Sequence, residues 1–76
     1  MGFGRNPHVA KAEAEEEKAR IASDSASYER AWREAARQWD RATERETDDK
    51  RRQQYTERAE AARANADIPE NKRGEN

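Results

Sequence analysis

The chain has 76 residues, enough for one domain, and its 16 basic and 17 acidic side chains leave a formal charge of −1. Charged residues make up 43% of it and hydrophobic ones 32%; fifteen of the latter are alanine, and leucine is absent. With no cysteine it forms neither a disulfide framework nor a thiolate metal site, and no apolar run is long enough to span a bilayer.

So little Leu, Ile, Val and Phe is usual in disordered chains, yet the high net charge that accompanies disorder is missing. Alanine, glutamate, arginine, glutamine and lysine all favour helix, so the expected class is all-α. The opening MGFGRNPHVAKAEAEEEK has no signal-peptide core, which leads to the expectation of a soluble, cytoplasmic protein.

Residues 1–6 read as a flexible leader. Asn6-Pro7 is a helix start: the asparagine caps, and the proline has no N–H to leave unsatisfied at the first position. From His8 to Glu46 there is neither glycine nor proline. The stretch SDSAS (23–27) holds weak helix formers and allows a kink, but Ile21 and Tyr28 stand seven residues apart, in register with the apolar residues beyond them. One long helix over about 7–46 is therefore expected.

In its middle, Tyr28, Trp32, Ala35, Trp39 and Ala42 step by four and three, an apolar seam at coiled-coil spacing that extends back to Ile21. A second seam runs through Tyr55, Ala59, Ala62 and Ala66. On one continuous helix Tyr55 would stand roughly 160° from Trp39, so the two seams would not share a face. A turn at about 46–49, capped by Thr47 or Asp48, brings them together. The expectation is a helical hairpin domain over 7–67, with a second helix at about 49–67 and a disordered tail at 68–76.

The large rings of the first helix then interlock with the alanines of the second. So few large apolar side chains leave a lone hairpin thinly covered, and pairing two hairpins into a four-helix bundle is the expected remedy, with a homodimer as the partner state. Left partly exposed, the same seam would anchor another protein, since tryptophan, tyrosine and arginine dominate interface hot spots.

Segment W-x-x-A-A-x-x-W, Trp32 to Trp39, resembles the first helix of a tetratricopeptide repeat, which carries W-x-x-L-G-x-x-Y. The resemblance covers about half the chain and implies a helical hairpin that binds proteins.

Arg30, Arg33, Arg37, Arg41 and Arg45 fall within about 60° either side of one direction, opposite the tryptophans. Single-strand nucleic-acid platforms need aromatics beside their cations, so this helix does not supply one. The stripe, with Lys50, Arg51 and Arg52 after it, forms a possible basic face for phosphate backbones or an acidic protein. Five acidic residues interleave with the five arginines. Glu29–Arg33, Arg30–Glu34, Glu34–Arg37 and Arg41–Glu44 can pair along the helix, as can Lys11–Glu15 and Glu16–Arg20, which favours a solvated surface.

His8 is the only histidine, and the acidic run EAEEEK (13–18) lacks the spacing of a calcium loop. No catalytic motif, metal site or cofactor loop is expected. The function read from the sequence is a non-enzymatic protein-interaction or regulatory module, self-associating, with a nucleic-acid-associated protein as the alternative.

Overall fold

In a computed structural model, which describes residues 6–68 and 72, the chain forms three α-helices. These are α1 (Pro7–Ile21), α2 (Ser25–Arg45) and α3 (Asp49–Ala66). The leader before residue 6 and most of the tail after residue 68 lie outside the described residues.

Asn6 opens α1: its side-chain oxygen accepts the His8 backbone N–H at 3.1 Å, and Pro7 occupies the first turn. Lys18 and Arg20 lie in the last turn, where the helix dipole favours positive charge.

The single helix expected over 7–46 is instead two. Backbone angles turn extended at Ala22 (φ −64°, ψ 135°) and Asp24 (φ −124°, ψ 158°), and the Asp24 carboxylate accepts the Ser27 N–H at 2.9 Å to start α2 afresh. Short polar side chains at 23–25 compete with the helix for backbone hydrogen bonds, so a helix yields here at the smallest cost. The chain thereby gains the reversal that lays α1 against α2. Ile21, expected on the apolar seam, is turned away from it by the break and is 71% exposed.

The second reversal falls where the seam argument puts it. Asp48 caps α3, accepting the Arg51 N–H at 3.0 Å. No glycine is needed, because Glu46 and Asp48 keep ordinary extended angles. Glu46 ties the corner instead: its N–H donates to the Ala42 carbonyl at 3.0 Å, and its carboxylate accepts the Asp48 N–H at 3.1 Å.

Helix α2 lies between the other two and runs antiparallel to both. Asn6 donates to the Ala42 carbonyl at 2.9 Å while His8 meets Gln38 at 2.9 Å, which fixes the α1–α2 direction. Arg63–Asp40 at 3.0 Å and Arg33–Asp67 at 2.9 Å do the same for α2–α3. The architecture is thus a three-helix, all-α arrangement rather than a two-helix hairpin.

Its core is small side chains around two large ones. Ala31, Trp32, Ala35, Ala36, Trp39 and Ala42 are buried on α2, Ala59, Ala62 and Ala66 on α3, and Ala12 and Ala19 on α1. Val9, Tyr28 and Tyr55 pack at its edge. Alanine lets helix axes approach closely, and the rings fill the space that remains. Trp39 is 1% exposed and Trp32 7%. One chain therefore covers its own aromatic seam, because α1 supplies the third wall that a hairpin lacks.

Trp39→Ala removes the largest fully buried side chain. The expected cost is about 3–5 kcal/mol, a large part of what holds a small domain together. Far-ultraviolet circular dichroism should show most of the helical signal lost, and a variant with unchanged melting would contradict this packing.

The Ser27 backbone N–H and then its side chain hold the Asp24 carboxyl below the usual aspartate range. A depressed folded value means the cap contributes fully above the ordinary range and fades as pH falls through the folded one. Acid melting curves of Asp24→Asn should therefore approach those of wild type at the lowest pH and lie below them near neutrality.

Candidate interaction site: a buried carboxylate and two charged faces

Glu16 is the buried charged residue among those described, 6% exposed, and it stands where the three helices meet. One carboxylate oxygen accepts the Trp39 indole N–H at 2.7 Å; the other accepts the Arg58 guanidinium at 2.9 Å. Arg20, one turn on, approaches at 3.9 Å. The Arg58 guanidinium also lies 4.4 Å from the centre of the Trp39 ring, and Tyr55 stacks on that ring at 5.6 Å. The indole N–H of this tryptophan is thus matched from α1, and its ring face from α3.

By sequence alone Glu16 is an ordinary surface partner of Arg20. A signal of burial is present nonetheless: Ala12, Glu16 and Ala19 step by four and three, the spacing of a buried stripe. A carboxylate between two alanines at core spacing is the cue. Arg58 gives none, since nothing local distinguishes it from the other arginines of α3.

Of the expected seam, Trp32, Ala35, Trp39, Ala42, Ala59, Ala62 and Ala66 are buried, Tyr28 and Tyr55 are partly covered, and Ile21 lies in solvent. Tyr28 meets Trp32 edge to face at 6.3 Å. The two tryptophans differ in one respect. The Trp39 N–H is paired with Glu16, whereas the Trp32 N–H is buried with no hydrogen-bond partner among the described residues.

The basic residues behave as one exposed set with two kinds of member. Arg30, Arg33, Arg37, Arg41 and Arg45 are all exposed on α2, as are Lys50, Arg51 and Arg52 on α3. From Arg30 to Arg45 the stripe is about 22 Å long at ~1.5 Å per residue. Arg33 is drawn to Asp67 at 2.9 Å and Glu29 at 3.5 Å, and the Asp67 hydrogen bond foremost raises its guanidinium pKa. Arg37 holds Glu34 at 2.8 Å. The Gln38 amide first, and Arg37 second, keep the Glu34 carboxyl below the usual glutamate range. Arg51 pairs with Glu46 at 3.3 Å and Arg52 donates to the Glu46 carbonyl.

Arg30, Arg41, Arg45 and Lys50 make no ion pair among the described residues. The expected pairs Arg30–Glu34, Arg41–Glu44 and Lys11–Glu15 do not form; Glu15 pairs with Lys18 instead, at 3.2 Å. No group of three His, Cys, Asp or Glu among the described residues is placed to hold a metal ion, and no helix there is long and apolar enough to cross a membrane.

The unequal indoles give a direct comparison. Trp39→Phe breaks a hydrogen bond and leaves the Glu16 carboxylate short of a donor, while Trp32→Phe deletes an N–H that was already orphaned. Trp39→Phe should cost more by about 1–3 kcal/mol in urea unfolding. Equal losses would mean that the Glu16 contact contributes nothing. Glu16→Ala should likewise destabilise by about 1–3 kcal/mol through the orphaned Trp39 N–H, and Glu16→Gln by less, because an amide oxygen still accepts.

The tetratricopeptide-like segment Trp32–Trp39 lies wholly on α2, which packs against two helices rather than one. No family model matches the chain, and neither a curated protein nor a solved structure matches it.

Proposed function

We propose that this chain is a small, non-enzymatic protein-interaction or regulatory module that self-associates and meets partners through its charged helix faces. The observation that carries the charged-face part of the reading is the burial of both tryptophans within one chain, whereas self-association rests on the scarcity of large apolar side chains in the sequence. Rings so enclosed do not serve as a hot-spot anchor for a partner. What α2 and α3 offer to solvent is a charged surface on which Arg30, Arg41, Arg45 and Lys50 form no salt bridge among the described residues, Arg30 and Arg41 acting only at longer range on Asp24 and Glu34. Such a surface suits an acidic protein, where complementary charge sets the rate and selectivity of encounter. The most withdrawn carboxylate, Glu16, is committed to Trp39 and Arg58, which supports a structural role for it rather than a catalytic one.

A second reading, a nucleic-acid-associated protein, rests on the same cations. Less favours it. Arg33, Arg37 and Arg51 are already paired, and Glu29, Glu34, Asp40 and Glu44 interrupt the stripe. Phosphate contacts release counterions, so any such binding would weaken steeply with salt.

Arg30→Glu, Arg41→Glu and Arg45→Glu, combined in one variant, should leave helicity unchanged and abolish recovery of any protein partner captured by wild type. Equal capture by both would remove the charged-face reading. A gel-shift series with duplex and single-stranded DNA should show no retardation at physiological salt; retardation lost in the same variant would put the second reading first.

A further inference from the structure

The backbones of α1 and α3 stay apart, and long side chains close the space between them at one level only. There Glu16, Arg58 and Tyr55 gather around the Trp39 ring. Nearer the start of α1 the same seam is open, leaving a groove of about 360 Å³. Asn6, Val9, Ala10 and Glu13 line it from α1 and its cap, and Glu46 and Tyr55 from the corner and α3. A space of about 150 Å³ already holds a benzene ring.

The walls are of two kinds. Val9 and Tyr55 are partly buried side chains that pack on the core and also border the groove. The rim is acidic. Glu13 forms no salt bridge among the described residues. Arg51, the basic residue of the lining, is committed to Glu46 at 3.3 Å. A complementary occupant therefore brings an apolar ring and a cation.

The chain carries both immediately upstream. Residues 1–5, MGFGR, lead directly into Asn6, the first residue of the lining, and hold the single phenylalanine and one arginine but no acid. Phe3 stands three residues from Asn6, a reach of about 10 Å, and α1 rises a similar ~10 Å from Asn6 to Glu13. The helix cap sets the direction of entry. Chain preceding an N-cap commonly folds over the first turn towards the fourth helical position. Here that position is Ala10, inside the groove. Gly4 gives the backbone the freedom to reverse between Phe3 and Arg5. Asn6 itself is held to the Ala42 carbonyl, one turn before Glu46, so the chain enters at the acidic rim.

We propose that this groove is the docking site of the chain's own first five residues, with the Phe3 ring on Val9 and Tyr55 and the Arg5 guanidinium against Glu13. The tether makes the encounter intramolecular, so a small contact area suffices. The docked leader adds a second link between α1 and α3 beside Glu16–Arg58, and so helps to hold α1 over Trp39. This surface is separate from the charged faces of the preceding reading, and neither depends on the other.

In nuclear magnetic resonance spectra of the full chain, the Phe3 ring protons should show Overhauser contacts to the Val9 methyls and the Tyr55 ring. In mixtures of labelled and unlabelled protein, isotope filtering should place those contacts within one molecule. Phe3→Ala should lower Tm by about 5 °C. Ala10→Lys sets a charged chain in the groove from an exposed position. It should lower Tm in wild type and leave that of Phe3→Ala unchanged, because the site is then already vacated.

Contacts that cross between labelled and unlabelled copies overturn docking within the chain and make the groove an exchange site between molecules. Absence of the Overhauser contacts, or an unchanged Tm in Phe3→Ala, overturns the proposal outright. Additive losses from the two substitutions overturn it as well, since Phe3 and Ala10 then act at separate places.

Discussion

The Glu16 carboxylate takes the Trp39 indole N–H on one oxygen and the Arg58 guanidinium on the other, so a single side chain of α1 reaches both other helices. Removing a carboxylate from water is costly, and a buried ion pair is weak evidence for stability. Arg58 keeps about half of its side chain in solvent, which lessens the desolvation on its side. The contact does something the alanines are unable to do. Ala12 and Ala19 pack equally well against several positions along α2, because methyl groups have no direction. An indole N–H facing a carboxylate fits one register only, and the rest of the α1 docking depends on it.

A core of alanine and two tryptophans has consequences for the whole surface. Small residues let the α2 axis approach both neighbours, while the backbones of α1 and α3 stay apart and long side chains bridge them. Tyr55, Arg58 and Glu16 fill that bridge around the Trp39 ring. Apart from Ile21 and the edges of Tyr28 and Tyr55, the large apolar residues of the three helices are thereby used up inside, and charge dominates what remains outside. That surface carries two kinds of cation: those in salt bridges, as Arg33 and Arg37 are, and those outside one among the described residues, as Arg41 and Arg45.

Helix starts are legible from residues 6–7 and 47–48, because a capping side chain acts on a backbone N–H two or three positions ahead. The burial of Trp32 and Trp39 is legible from their spacing. The break at 22–24 is visible only as an ambiguity. Ser23 and Asp24 are tolerable in a helix and better at its edge, and the local preference between those options is about 1 kcal/mol. The Ile21–Tyr28 spacing argues for continuity, and residue order gives no means of weighing it against contacts made across space.

Those contacts decide the fold. Covering Trp39 with α1 involves Glu16, Asn6 and His8, whose partners lie 23, 36 and 30 residues away in the chain. Local patterning reaches one or two helical turns, so it specifies the helices, their caps and the faces that seek cover. It is silent on Arg58, and on Glu16 it offers the Ala12–Glu16–Ala19 spacing but not the partners, since a carboxylate meets those only once another helix has closed over it. Residue order alone dictates helical elements and an aromatic seam. Packing in three dimensions adds the third helix that covers the seam, because burying the indole outweighs keeping one helix unbroken.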